Sequence, residues 1–248
     1  GIRDYKVTGV QTCALPIFLS YYNPQFVLSD SLLAFFDDAR STFNIYYNGK
    51  TATLEDNFLE KPRAVKAGSN LLSWVNQSGY FNVFYNGHVM NLDNIAPVAF
   101  ESGRDIMAWI DDYTRQFHVF YKGDSALVET YAPDSFKVGF GIMAYVDQQN
   151  NMWIFHDGKN EKVLSNRPDQ FNVKGNVVVY GWNNMFNVFY QGQTFTLQNR
   201  IPTSYQLGND GVAWIDDAGR LNLFQKGKTY TVSYETINSY LQIGRAHV

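Results

Sequence analysis

Three of the four histidines and three aspartate doublets are the groups in this sequence best equipped to bind a metal or move a proton. His88, His118 and His156 each stand alone, and their counterparts in neighbouring repeats are Lys, Asn or Tyr. Placement on a strand or at the surface is therefore the structural alternative to a ligand or catalytic role. Asp37-Asp38, Asp111-Asp112 and Asp216-Asp217 could pair as carboxylates or hold calcium. A calcium loop needs several oxygen ligands at close spacing, and Asp-x-Asp-x-Asp does not occur. The doublets recur at one position of a repeat, where an aspartate that caps a turn is the simpler explanation. No Gly-x-Ser-x-Gly elbow, phosphate loop or His-Glu-x-x-His helix is written in the chain. Trp74, Trp109 and Trp214 could stack sugars, yet aromatic residues at one repeated position more commonly fill a core. No catalytic residue, metal ligand or cofactor is assigned, and an enzyme is the less favoured reading.

The elements that must position these groups are strands. Residues 81–87 (FNVFYNG) alternate and run into a tight turn, and the pattern returns at 43–49, 117–123, 152–158, 186–192 and 221–227. The step is roughly 35 residues, a repeat-architecture period. Each unit starts at a proline (Pro24, Pro62, Pro97, Pro133, Pro168, Pro202), which suits a crossover or the first residue of a strand. Three residues later comes an apolar residue, usually followed by a glycine. An apolar run then ends near Phe35, Trp74, Trp109, Tyr145, Tyr180 or Trp214. Two residues on stands a turn former (Asp37, Asn76, Asp111, Asp147, Asp216), with Trp182 as the exception. The alternating strand leaves through Asn48-Gly49, Asn86-Gly87 or Asp157-Gly158, dipeptides suited to a hairpin in which both central residues have positive φ. A weaker fourth strand closes the unit.

The ends follow no such register. Residues 1–17 (GIRDYKVTGVQTCALPI) resemble a translated sequencing adapter, and residues 243–248 (IGRAHV) resemble its opposite strand. Codons for Thr12–Ile17 and for the last six residues can be written as near reverse complements. Residues 18–242 are then expected to be a single native repeat domain, truncated at both ends, with Cys13 outside it and no disulfide framework within it. The formal net charge of −3 becomes more acidic once Arg3, Lys6, Arg245 and Asp4 are set aside. With no basic run, nucleic acid is not an expected partner, and no apolar stretch approaches a membrane span.

Four short antiparallel strands, three tight turns and a longer crossover describe a β-propeller blade of an all-β fold. Phe81, Val83 and Tyr85 would face one way and Phe84 the other, as a blade covered on both sides requires. An open β-solenoid is the rival architecture, but parallel coils need no Asn-Gly hairpins. Residues 214–223 (WIDDAGRLNL) and their counterparts resemble blades of TolB-like and WD-type propellers, across all six units. The Ser-Pro-Asp-Gly turn of the TolB kind and a strand-closing Trp-Asp are missing. Residues 18–22 read as a trailing strand before the six units, and 239–242 as a leading strand after them. A seven-bladed ring is the resulting expectation.

The favoured function is a non-enzymatic binding or scaffolding propeller, part of a larger exported bacterial protein in the periplasm or outside the cell. A lectin-like carbohydrate-binding propeller and a propeller hydrolase or lyase are the alternatives. Expected partners are a protein, a polar or anionic small ligand, or a glycan. Trp109 and Trp214 should be buried between blades. If the proline-led strand is innermost, as the TolB-like resemblance implies, the position after its apolar residue forms a ring near the channel. That ring is Lys66, Glu101, Lys137, Asn172 and Gln206, with Leu28 in the first unit. Binding of a polar or anionic ligand by Lys66, Glu101 and Lys137 at the channel mouth is the functional reading, and side chains merely facing water are the structural one.

Overall fold

The computed structural model describes residues 26–56, 62 and 64–237, so both terminal segments and the two flanking strands expected beside the repeats lie outside the described residues. Six four-stranded antiparallel sheets occupy residues 26–55, 64–93, 99–129, 135–164, 170–198 and 205–233. Within every sheet the strands pair in chain order, which excludes a solenoid of parallel coils. The first strands of successive sheets approach one another, so the proline-led strand is the inner one. Among the described residues no helix is long and apolar enough to cross a membrane.

Each sheet packs flat against the next. Five apolar clusters fill the five seams between six sheets. Phe81, Val83 and Tyr85 face the third sheet together with Trp109, while Phe84 turns back to the first, as the alternation of a two-faced strand demands. Trp109 and Trp214 are 4% and 2% exposed. Two aromatic contacts recur at most seams. Phe43–Trp74, Phe81–Trp109, Phe117–Tyr145 and Phe186–Trp214 meet with ring centroids 5.3–6.1 Å apart. Tyr47–Phe84, Tyr85–Phe120, Tyr121–Phe155 and Tyr190–Phe224 meet edge to face, a geometry that adds to the burial energy.

The turns follow their chemistry. Asn48-Gly49, Asn86-Gly87 and Asp157-Gly158 have positive φ at both residues, and so do Lys122-Gly123, Gln191-Gly192 and Lys226-Gly227. The other hairpin is capped as expected. Asp37, Asn76, Asp111, Asp147 and Asp216 each accept backbone N–H bonds from residues two to four further on. Trp182 is an exception because its sheet uses a two-residue Asn183-Asn184 turn, again with both φ positive, which lets the strand run on through Trp182.

One feature of the repeat lies at the outer strand. Every third strand shifts register against the fourth just after Phe43, Phe81, Phe117, Met152, Phe186 and Leu221. At four of these bulges a buried Asn follows: Asn44, Asn82, Asn187 or Asn222. Its Oδ1 accepts from a side chain nine residues on (Thr53, Asn91, Thr196, Thr231), and its amide nitrogen donates to the carbonyl two residues back. The amide thus satisfies polar groups that the interrupted ladder would otherwise leave buried. His118 and Trp153 take this position in the third and fourth sheets and stack on Trp109 and Tyr145 instead.

Candidate functional site

The inner strands place the five ring residues in register. Lys66, Glu101, Lys137, Asn172 and Gln206 pair opposite Ser73, Ala108, Ala144, Val179 and Ala213 of their neighbouring strands. In the first sheet the position belongs to Val27, which pairs with Ala34, and not to Leu28. The first unit has one residue fewer between its proline and the strand, so counting from Pro24 overshoots by one.

The ring residues reach sideways to the next sheet. Lys66 Nζ donates to Glu101 Oε1 at 2.6 Å and lies over the Phe100 ring. Lys137 Nζ donates to Asn172 Oδ1 at 2.8 Å and lies over Phe171 in the same way. Each lysine therefore rests on the aromatic face of the following inner strand and bonds the polar residue beside it. The Lys66 charge meets a carboxylate, whereas Lys137 meets a neutral amide. Lys66 and Glu101 are both about half exposed, which limits the pair to a small stabilisation.

Beyond the ring, the tips joining inner and second strands close the channel into a mouth. Gly68, Gly103, Gly139 and Gly175 repeat at this point. A Cβ on each would overlap the backbone of the next tip, so only glycine permits the approach. The tips are also laced together. The N–H groups of Ser31, Arg104, Phe140 and Asn176 donate to the carbonyls of Ser69, Gly139, Gly175 and Asn209. Asn70 and Asp105 exchange two hydrogen bonds, and Asp105 also accepts from the Tyr85 hydroxyl, whose pKa burial and this carboxylate push up to about 12.

Tips of all six sheets border one cavity of about 330 Å³ at this mouth. Asp30, Ser69, Ser102, Lys174 and Asn209 supply its polar lining, with Phe140 beside them. Arg104 spans it. Its guanidinium lies 3.9 Å from the centroid of the Phe140 ring, Nε donates to Ser69 Oγ at 3.1 Å, and Nη2 donates to Asp30 Oδ2 at 3.3 Å. Ring residues do not line this cavity; their strand neighbours Ala67, Ser102, Val138 and Val173 do. Asp30 and Lys174 line the cavity and Arg104 bonds its lining; the repeat pattern passes over all three because they sit at or beside the tips, where units differ.

The other candidates are separated. His88 is exposed on the rim. His156 packs edge-on against Phe189 at the position other sheets give to Tyr47, Tyr85, Tyr121 and Tyr190, and its Nε2 lies 3.0 Å from Glu161. His118 stacks on Trp109, and burial lowers its pKa despite Asp111 and Asp93 nearby. Those two carboxyls lie together at the seam of the second and third sheets. Burial and the Asp111 side chain push the Asp93 carboxyl up, while Thr114 holds Asp111 low against its own burial. Among the described residues no three His, Cys, Asp or Glu side chains are grouped to hold a metal.

No curated protein sequence matches the chain significantly. Among solved structures it is similar to human WBSCR16, with 7% identity, 86% of this chain and 82% of that chain covered, and a TM-score of 0.49. It is similar to the CRINKLY WD40 ectodomain of the Arabidopsis thaliana receptor kinase ACR4, at 11% identity, 85% and 82% coverage and a TM-score of 0.47. The ectodomain of the Physcomitrella patens receptor kinase CR4 is similar at 12% identity, 82% and 61% coverage and a TM-score of 0.48. A family model described as a 10-bladed β-propeller domain matches residues 16–244. Its count of ten replaces the expected seven, since two flanking strands require only that one further blade be shared and leave any others uncounted. By that match, the chain belongs to the family of 10-bladed β-propeller domains.

Proposed function

We propose that this propeller is a non-enzymatic binding domain whose axial channel takes a polar, anionic ligand, and that it serves a larger exported bacterial protein. The observation that carries the reading is the convergence of six tips on one polar cavity, the arrangement that ligand sites commonly share. Two features support an anion. Lys174 borders the cavity, and Arg104, bonded to the lining residue Asp30, stays half exposed. Behind them the bonded partner of Lys137 is a neutral amide, so that partner leaves its charge unanswered. Lys66 contributes less, because Glu101 already answers it. The burial of Trp109 and Trp214 counts against sugar stacking at those positions.

Calorimetric titration with citrate, glucuronate and a short acidic peptide tests the proposal. Binding by the parent that weakens at least about tenfold in Lys137→Ala with Lys174→Ala would support it. Equal affinity of parent and variant for every anion that binds would remove the channel from consideration. Lys66→Ala combined with Lys137→Ala tests the inner ring separately from the mouth.

A further inference from the structure

The two ends of the propeller expose different chemistry. At the mouth end lie the inner tips and the six hairpins that end in glycine, and none of the exposed large hydrophobic residues falls in those turns among the described residues. The opposite end carries the capped hairpins and the crossovers. There Tyr80, Ile95, Val98, Tyr113 and Tyr131 are exposed on four consecutive loops of the second and third sheets, Tyr113 at 85% and Tyr131 at 64%. The repeat does not demand this. Two residues before the crossover proline, where these units place Ile95 and Tyr131, the later units place Asn166 and Arg200.

The same sector interrupts a second regularity. At three other seams the last residue of the outer strand accepts a hydrogen bond from the next sheet's aromatic: Glu55 from Trp74, Glu129 from Tyr145, and Gln198 from Trp214. Asp93 holds that position at the seam of the second and third sheets, and there the shorter carboxyl engages Asp111. Nearby acids at the edge of the sector are answered, Asp112 by Arg115 and Asp134 by Arg167. His118 faces the Asp93–Asp111 pair, and burial lowers its pKa, which disfavours its cationic form there. An apolar, aromatic sector therefore surrounds two carboxyls that, among the described residues, form no ion pair with a lysine or arginine, which is complementary to a cation carried on an apolar segment.

We propose that this sector docks a protein segment that places one arginine or lysine against Asp93 and Asp111 and covers Ile95, Val98 and Tyr113 with its apolar neighbours. The cation stabilises both carboxyls in their ionised form, so in the acid range docking competes with their protonation. Affinity accordingly rises with pH through the acid range and levels off once the pair is ionised. The site lies at the end opposite the channel mouth, so it stands or fails independently of the anion site.

The test uses the full chain, isotope-labelled, and backbone amide shifts on titration with the acetylated, amidated peptide Leu-Arg-Leu-Phe. The comparison peptide is Leu-Glu-Leu-Phe. The expected result is shifts confined to loops 76–80, 94–98, 111–116 and 130–134, with binding at least about tenfold weaker for the glutamate peptide. Asp93→Asn and Tyr113→Ser should each weaken the arginine peptide. Asn keeps an acceptor at position 93 and Tyr113 is almost fully exposed, so neither variant threatens the fold. Equal binding of the two peptides, shifts at the channel mouth instead, no binding by the parent, or variants as good as the parent would each overturn the proposal.

Discussion

Removing the indole of Trp109 most directly probes how one sheet holds the next. The side chain lies in the seam of the second and third sheets, tilted against Phe81 at 5.9 Å and stacked on His118 at 5.1 Å. Trp109→Ala removes a large buried group between two pleated faces, and neither face can collapse without breaking its own ladder. Large-to-small changes of this kind cost about 3–5 kcal/mol. Sheets in such an array touch mainly their neighbours, so the loss should be local. Urea unfolding followed by hydrogen exchange should show protection lost first on the two strands that meet at this seam, Phe81–Tyr85 and Ile106–Ile110, while Val177–Trp182 keeps its parent protection. Tyr113→Ala, on the exposed hairpin of the same sheet, is the control and should change stability by no more than about 0.5 kcal/mol. A cost for Trp109→Ala below about 1 kcal/mol, or uniform loss of protection across all sheets, would refute the seam as the unit of cohesion.

Two further outcomes follow from local geometry. Asp147 accepts from Asn151 and Trp153, and these bonds hold its pKa low against the upward push of burial. Its contribution is therefore present above the ordinary carboxylate pKa and lost as pH falls through the lowered value. Asp147→Asn should flatten the acid side of a thermal-stability profile, and an unchanged acid limb would contradict this. Lys226 adopts a φ of 50° in its hairpin, where asparagine is less strained. Lys226→Asn should stabilise by about 0.5–1 kcal/mol in chemical denaturation, and a loss of stability would show that the lysine makes a compensating contact.

Strand order, hairpin type and turn capping were legible in the sequence because each depends on contacts within one unit. Asn86-Gly87 specifies its turn without reference to any neighbour, and Asp216 caps its own hairpin. The bulge asparagine is not among the expectations from sequence: its trace, Asn44, Asn82, Asn187 and Asn222 each followed nine residues later by Thr or Asn, is a pair rather than a run. The Leu28 assignment failed for a related reason. Only the pairing of Phe26 with Phe35 fixes that strand's register, and the spacing from Pro24 does not. Arg104 escaped notice because its partners Asp30, Ser69 and Phe140 come from three other sheets, and no spacing within a unit encodes a meeting across the channel.

The glycine tips bear on more than local fit. Sheets in a propeller are wedges, thin at the axis and thick further out. Here glycine sets the thin edge, and the Trp, Tyr and Phe contacts between sheets set the thickness beyond it. The taper between the two decides how far each sheet turns the next, and so how many are needed to complete a circle. A bulkier residue at Gly103 would reduce the taper, and so would a slimmer one at Trp74. The turn per sheet is then a continuous mechanical quantity set at two radii, and the whole number of blades follows from it.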